Sequence, residues 1–474
     1  MHPTPPLAGA RRGARPLPTA ALLAAPLLGW LAGPLAALQE PAPPSEVLAV
    51  RARHVVIAPG KHLTDGVVLV KNGRITAVGQ GLAVPEGARV LDGEVVCAGF
   101  IDAWSGIGLD GRSLDDGRTD ASTRATDALD PWTSAHERRE AVGAGVLLAR
   151  VQTGVGSEFG GIAAVVRNGH AGDALVLLSD ATVGAAVGVS DRGRGKDAFD
   201  RLAEADRLGA KLGAARDYRA EWVEYEKQLG EWQKKIADKE KELEKDFKKA
   251  QKAREKDIED AKKKGDEHKE KEYKEDKRPK LPRFDAEKHT LARVVSGELP
   301  LFVRCDGLVE LRAMLAATAP FGRARLVVVG GLGLADEGGE VVARELAQRR
   351  IPVLVQPLPY NEVDGARPAG QSLGFAAHLA RLGVDVLLGT GAASTRDLPL
   401  MAALAVGHGL DRDLALHALT VGAARALDLA AEVGTVEVGK RAELLVLDGL
   451  PFTSSGRVRA AVSDGRVVHE VPAR

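Results

Sequence analysis

The sequence predicts an α/β protein: a TIM-like (β/α)8 barrel, regular or distorted, plus a small β-sandwich domain built from both ends of the mature chain, with a long charged helical insertion. Three observations predict it. Strand-like segments bracket the chain at 48–97 and 434–470. Between them, short apolar runs alternate with helical stretches, the rhythm of a parallel sheet. One internal segment breaks that rhythm with a dense run of charge.

The chain has 474 residues, a length suited to one large barrel with additions. Hydrophobic residues make up 45% and charged residues 27%, enough to bury a core and to exclude a wholly disordered protein. Lys and Arg number 65 and so do Asp and Glu, so the net charge is zero. That balance argues against a globally basic nucleic-acid binder, and no nucleic-acid partner is expected. Two cysteines exclude a disulfide framework and any Cys-rich zinc or iron–sulfur site.

The elements follow in order. Residues 1–38 form a signal peptide: Arg11, Arg12 and Arg15 precede an apolar stretch from Leu17 to Leu38 that ends in small residues, and a polar Pro-rich start follows. The expected location is secreted or periplasmic, with no membrane span after cleavage. An uncleaved anchor is the competing reading, against which Pro26 and Pro34 interrupt the apolar run. In an oxidising compartment Cys97 and Cys305 are able to pair; two buried thiols is the favoured alternative.

Residues 46–97 and 432–474 supply the two parts of the sandwich. Gly66 to Gly79 holds a strand, an Asn72-Gly73 turn and a second strand, and Val458 to Val468 repeats the pattern around Asp464-Gly465. Residues 98–215 and 289–431 supply the barrel. Its strand candidates are Val146–Gln152, Ala174–Leu178, Leu299–Arg304, Arg325–Val329, Ile351–Gln356 and Val384–Gly389. Gly307–Ala319, Glu340–Arg349 and Gln371–Leu382 are the helices between the later ones. Gly154-Val-Gly-Ser-Glu-Phe-Gly-Gly has the wrong spacing for a nucleotide fingerprint and is expected to be a barrel loop.

Residues 216–288 are the insertion. Trp222, Tyr225, Leu229, Trp232 and Ile236 recur at alternating three- and four-residue spacing, which predicts a long helix with a narrow apolar seam. Leu243, Phe247, Ala250, Ile258 and Ala261 continue it loosely, and Lys262 to Asp266 is expected to fray. The seam either rests on the barrel or forms a coiled-coil arm, which would make the protein a homo-oligomer.

Cys97-Ala-Gly-Phe-Ile-Asp-Ala-Trp-Ser-Gly resembles the entry to the barrel of the amidohydrolase superfamily, where Pro-Gly-Phe-Ile-Asp-x-His-x-His closes the first strand. The hairpin before it and the stretches Leu416 to Leu427, Gly434 to Lys440, Ala442 to Asp448 and Arg457 to His469 resemble the superfamily's flanking segments, most of all in its secreted, imidazolonepropionase-like members. The resemblance implies hydrolysis of non-peptide C–N bonds at a site where four His and an Asp, sometimes with a carboxylated Lys, hold one or two divalent ions. Such an ion lowers the pKa of a bound water and polarises the scissile carbonyl.

The implied ligand positions are replaced. Trp104 and Gly106 stand at the first-strand histidines, Arg304 at the strand-five histidine, Gly330-Gly331 at the strand-six histidine and Gly391 at the final Asp. The strand-four Lys has no assigned position. His136, His268, His289, His378, His408 and His417 form no His-x-His or His-x-x-x-His pair. Three readings follow. The first is a catalytically impaired or metal-free member with no resident cofactor, whose pocket of Arg304, Asp306, Thr390 and Asp397 takes an anionic small molecule. The second is an active hydrolase whose site, holding zinc or a similar ion, is rebuilt from Asp102, Asp306 and Asp397. The third is a non-catalytic envelope scaffold acting through the charged arm.

Overall fold

The computed structural model describes residues 47–109, 119–132, 134–153, 158–188, 198–260, 277–356, 372–391 and 393–471. The expected signal peptide, Gly154 to Ser157, Lys262 to Asp266 and His268 lie outside the described residues.

The two ends of the chain form one sheet. Strands β1 (Leu48–Ala58), β2 (Lys61–Lys71), β3 (Arg74–Gln80) and β4 (Arg89–Ala98) are joined by β13 (Leu444–Leu447), β14 (Val458–Ser463) and β15 (Arg466–Glu470) in the order β15-β14-β13-β4-β1-β2-β3. The link between the ends is the antiparallel β4–β13 pair, with Cys97 opposite Leu445 and Val96 opposite Val446. The expected sandwich is thus one continuous sheet curled over its own core. Leu48, Val50, Val68, Val70 and Ile75 meet Leu444, Val446 and Val462 in a single cluster.

The curl brings the two outer hairpin turns together. Asn72-Gly73 and Asp464-Gly465 all have positive φ, the conformation that makes Asn-Gly and Asp-Gly strong hairpin turns. A Cβ on Gly465 would lie 2.7 Å from the Cα of Gly73, so the close approach admits only glycine there.

The barrel has eight strands: β5 (Phe100–Ser105), β6 (Val146–Val151), β7 (Phe159–Arg167), β8 (Val176–Ala186), β9 (Leu301–Cys305), β10 (Leu326–Gly330), β11 (Val353–Val355) and β12 (Val386–Leu388), hydrogen-bonded in chain order. The distortion is specific. β7 runs antiparallel to both β6 and β8, so these three form a meander, while every other pair in the sheet is parallel. Phe159-Gly160-Gly161, expected in a loop, opens β7. The physical reason is the run Phe-Gly-Gly-Ile-Ala-Ala-Val-Val-Arg, apolar and buried in all but its last residue, as a strand covered on both faces requires.

Helices α1 (Ala135–Gly143), α4 (Leu308–Thr318), α5 (Gly339–Gln348) and α6 (Phe375–Arg381) follow β5, β9, β10 and β11, and α7 (Leu398–Gly407), α8 (Arg412–Leu419) and α9 (Val421–Ala426) follow β12. Between β8 and β9 lie α2 (Ala198–Asp260) and α3 (Ala286–Val295). The charged arm therefore begins earlier than its charge: α2 is one helix of 63 residues whose first turns belong to the barrel. Ala205, Leu208, Leu212 and Ala215 are buried in the barrel's outer core, and Tyr218 and Tyr225 continue the buried stripe. Their spacing is helical throughout, so the arm is an outward extension of a docked helix. Farther out, Trp222, Leu229, Trp232 and Ile236 are half-buried and Leu243 is 48% exposed. Cys97 and Cys305 are buried and unpaired. Among the described residues, no helix is long and apolar enough to cross a membrane.

Candidate functional site at the barrel mouth

Side chains on strands that are not neighbours touch one another, which fixes what points into the barrel. Arg150 on β6 lays its guanidinium 4.0 Å from the ring centre of Phe302 on β9. It donates from Nε to Thr182 Oγ1 on β8 at 2.7 Å and from a terminal nitrogen to Gln152 Oε1. Gln152 lies across Gly184 of β8, where any Cβ would collide with its amide. Arg150 is 1% exposed, and Phe302 is also buried. A planar cation on an aromatic face, with two of its nitrogens donating, therefore fills the middle of the barrel.

Asp102 on β5 is the second buried charge of this layer, at 0% exposure. Its carboxylate accepts from the Trp104 N–H at 3.1 Å, the Thr390 N–H at 3.1 Å and Thr390 Oγ1 at 2.5 Å. These bonds cross the seam where the first and last strands meet. The backbone contributes the Ser105–Gly391 bridge, with Gly391 N–H donating to Trp104 O at 2.8 Å. Ser105 Oγ meets Thr395 Oγ1 at 2.6 Å, and Gln356 donates to Thr390 O at 2.6 Å. Asp102 thus acts as a side-chain clamp on a seam short of strand pairing. Thr390, one of the expected pocket residues, is fully buried and committed to this clamp.

Burial pushes the Asp102 carboxyl up to about 7 against its hydrogen bonds to Thr390 and Trp104, and it pulls Arg150 down to about 9 against the attraction of Asp102. Burial likewise raises Glu443, in the sheet domain, to about 7. A carboxyl raised in the folded state holds its proton more tightly there than in the unfolded chain. The stabilisation is complete below the ordinary value of 3.8 and is lost as pH rises through about 7. Stability measured by urea denaturation is expected to fall as pH climbs towards neutrality. Asp102→Asn should flatten part of that fall and leave the share due to Glu443.

Above this layer, at the C-terminal ends of the strands, lie Trp104, Arg304 and Gly330, which the sequence resemblance sets against metal ligands. Trp104 and Arg304 meet there across the mouth, with the guanidinium carbon 5.8 Å from the indole centre. Asp306 Oδ2 is 3.8 Å from Arg304 Nε. Burial raises the Asp306 carboxyl, opposed by Arg304 and by the Leu332 N–H that it also binds. Gly330, at the end of β10, packs so closely on Asp306 that a Cβ would lie 2.1 Å from Oδ1. Asp397 lies 3.8 Å from Arg396 Nε, and Arg396 reaches Glu140 of α1 at 3.0 Å.

An indole, two glycine positions and a guanidinium do not suit a divalent cation, and the guanidinium repels one. Among the described residues no group of three or more His, Cys, Asp or Glu side chains is placed to hold a metal ion. Asp102 is occupied at the seam, Asp306 with Leu332 and Arg304, and Asp397 beside Arg396, so the donor set expected for a rebuilt site does not converge. The histidines are scattered: His136 faces Glu140, His289 touches the Phe284 ring and His417 Nε2 bonds Asp385 at 3.0 Å.

Sequence reasoning missed Arg150, Gln152, Thr182 and Gln356. The signal was present in Val146-Leu-Leu-Ala-Arg-Val-Gln, where alternate positions of an apolar strand turn polar. In a strand whose faces are both buried, such residues point into the barrel.

The fold is that of amidohydrolase-type barrels. The sequence profile of the amidohydrolase family matches residues 333–468. Imidazolonepropionase of Symbiobacterium thermophilum is 31% identical over 157 residues, covering 30% of this chain and 37% of that protein. Imidazolonepropionase of Syntrophobacter fumaroxidans is 40% identical over 79 residues, covering 16% of this chain and 19% of that protein. The matched segments thus span well under half the length of these relatives. Among solved structures, an amidohydrolase from Thermotoga maritima superposes with a TM-score of 0.65 at 20% identity, over 90% of this chain and 100% of that one. The ochratoxinase of A. niger superposes with a TM-score of 0.50 at 13% identity, over 90% of this chain and 96% of that one. The chain is thus similar to the amidohydrolase superfamily, in sequence over part of its length and in fold over most of it.

Proposed function

We propose that this chain is an amidohydrolase-superfamily protein that has given up metal-dependent hydrolysis and binds a small molecule at the mouth of its barrel. One observation supports the reading: Trp104 and Arg304, which by resemblance stand with Gly106 and Gly391 at ligand positions, sit against each other at the barrel mouth. In this family the ion generates the hydroxide and polarises the carbonyl. None of these four residues replaces either role, since a guanidinium does not surrender a proton near neutral pH and an indole offers only a weak donor.

Calorimetric titration of the purified protein with zinc and with manganese is expected to show no stoichiometric binding at micromolar metal. Cyclic amides and N-acyl amino acids are expected to turn over at the uncatalysed rate with either metal present. Stoichiometric binding that disappears in Asp306→Asn or Asp397→Asn, accompanied by turnover, would establish a rebuilt site and sink the proposal.

A further inference from the structure

Arg304 is unlike Arg150. Arg150 is sealed in the barrel and spends its donors on Thr182 and Gln152. Arg304 is 35% exposed on its side chain, and among the described residues it makes no hydrogen bond, only the ion pair with Asp306 at 3.8 Å and the contact with the Trp104 ring. A guanidinium carries five N–H donors in a fixed fork. One at a barrel mouth with its fork unfilled is arranged to receive something.

The surroundings narrow what that is. Asp306 neutralises Arg304 only in part, because its carboxyl is held at 3.8 Å and also serves the Leu332 N–H. The net bias at the fork favours an anion. Trp104, half-buried beneath the guanidinium, adds a flat apolar surface. Beside it Gly106 is exposed, and among the described residues a Cβ there would meet nothing nearer than Gly391 O at 3.7 Å. A fork matches the two oxygens of a carboxylate in one plane, and an indole favours a flat group stacked against it.

Resting on the proposed ligand-binding role, we infer that the mouth of this barrel binds a planar carboxylate, aromatic or heteroaromatic, with Arg304 gripping the carboxylate and Trp104 supporting the ring. Gly106 supplies the room that a histidine would fill.

Benzoate, acetate and inorganic phosphate are the probes, titrated by calorimetry into the full-length protein and into three variants. Benzoate is expected to bind one to one, more tightly than acetate, with phosphate weaker than either. Arg304→Met should abolish binding. Arg304→Lys keeps the charge but loses the fork and should weaken benzoate by about tenfold or more. Trp104→Leu should erase the preference for benzoate over acetate. Should Arg304→Met fail to fold, as judged by its thermal transition, Arg304→Lys carries the test. The inference is overturned by absence of benzoate binding, by affinity unchanged in the Arg304 variants, or by preference for phosphate. A protein that binds zinc and turns over amides yet holds benzoate through Arg304 would overturn the proposed loss of hydrolysis and leave this inference standing. One that does neither would overturn this inference alone.

Discussion

Arg150→Met is expected to destabilise the protein by about 3 kcal/mol or more at pH 8, measured from urea denaturation midpoints, the scale for breaking a buried charge pair. Three losses combine. The acceptors on Gln152 and Thr182 lose their donor inside the barrel. The stacking on Phe302 disappears. Asp102, fully buried, loses the attraction that couples it to the Arg150 charge. The third loss depends on pH. Asp102 already sits near 7, so at pH 5 it is largely protonated and needs no counter-charge. The cost of Arg150→Met should therefore be smaller at pH 5 than at pH 8. A double variant, Arg150→Met with Asp102→Asn, should cost less at pH 8 than the sum of the singles, because the two charges act on each other. Strict additivity with no pH dependence would mean that the two groups do not interact and that Asp102 serves only as a seam acceptor.

The same pair shows what was and was not legible in the sequence. The hairpins were legible because Asn72-Gly73 and Asp464-Gly465 are turn signals whose positive φ follows from their chemistry. The barrel was legible from apolar runs alternating with helices, and six of its strands fall where those runs are. β7 was not, because its two glycines in Phe159-Gly160-Gly161 are ordinary loop markers. Only the three-dimensional approach of another segment explains them. Arg304 and Trp104 were singled out because the resemblance supplied their positions. Their contact was not legible, since β5 and β9 are far apart in the chain and no local pattern brings them together. Thr390 was placed in the pocket on the strength of its neighbours in sequence, whereas its side chain turns inward to Asp102. The arm was legible as a helix from its seam. Its origin at Ala198 was hidden because the docked turns use small residues, Ala205 and Ala215 among them, that carry little periodic contrast.

Gly161→Ala is expected to destabilise the protein by about 3 kcal/mol, from left-handed backbone strain of about 1–2 kcal/mol plus a steric clash that cannot relax. Gly161 has a φ of +80°, and a Cβ on it would lie 2.2 Å from the carbonyl oxygen of Thr123. That oxygen is held in place by the adjoining backbone, since Ile162 N–H donates to it at 2.6 Å and Arg124 bridges Ile162. Relieving the clash means pulling the 121–124 segment off β7, which breaks the bond that anchors it and unseats Arg124 from Asp180, 2.8 Å away. Gly213→Ala is the control. It lies in α2 with nothing within 4 Å of the added Cβ, so it should be neutral or stabilise by up to about 1 kcal/mol. The contrast also decides between two roles for the Gly160-Gly161 pair. A phosphate cradle would lose anion binding with little change in stability, whereas a backbone docking point loses stability first. A Gly161→Ala variant as stable as the parent protein would remove the docking explanation, and the reversed third strand would then have no structural need to begin on two glycines.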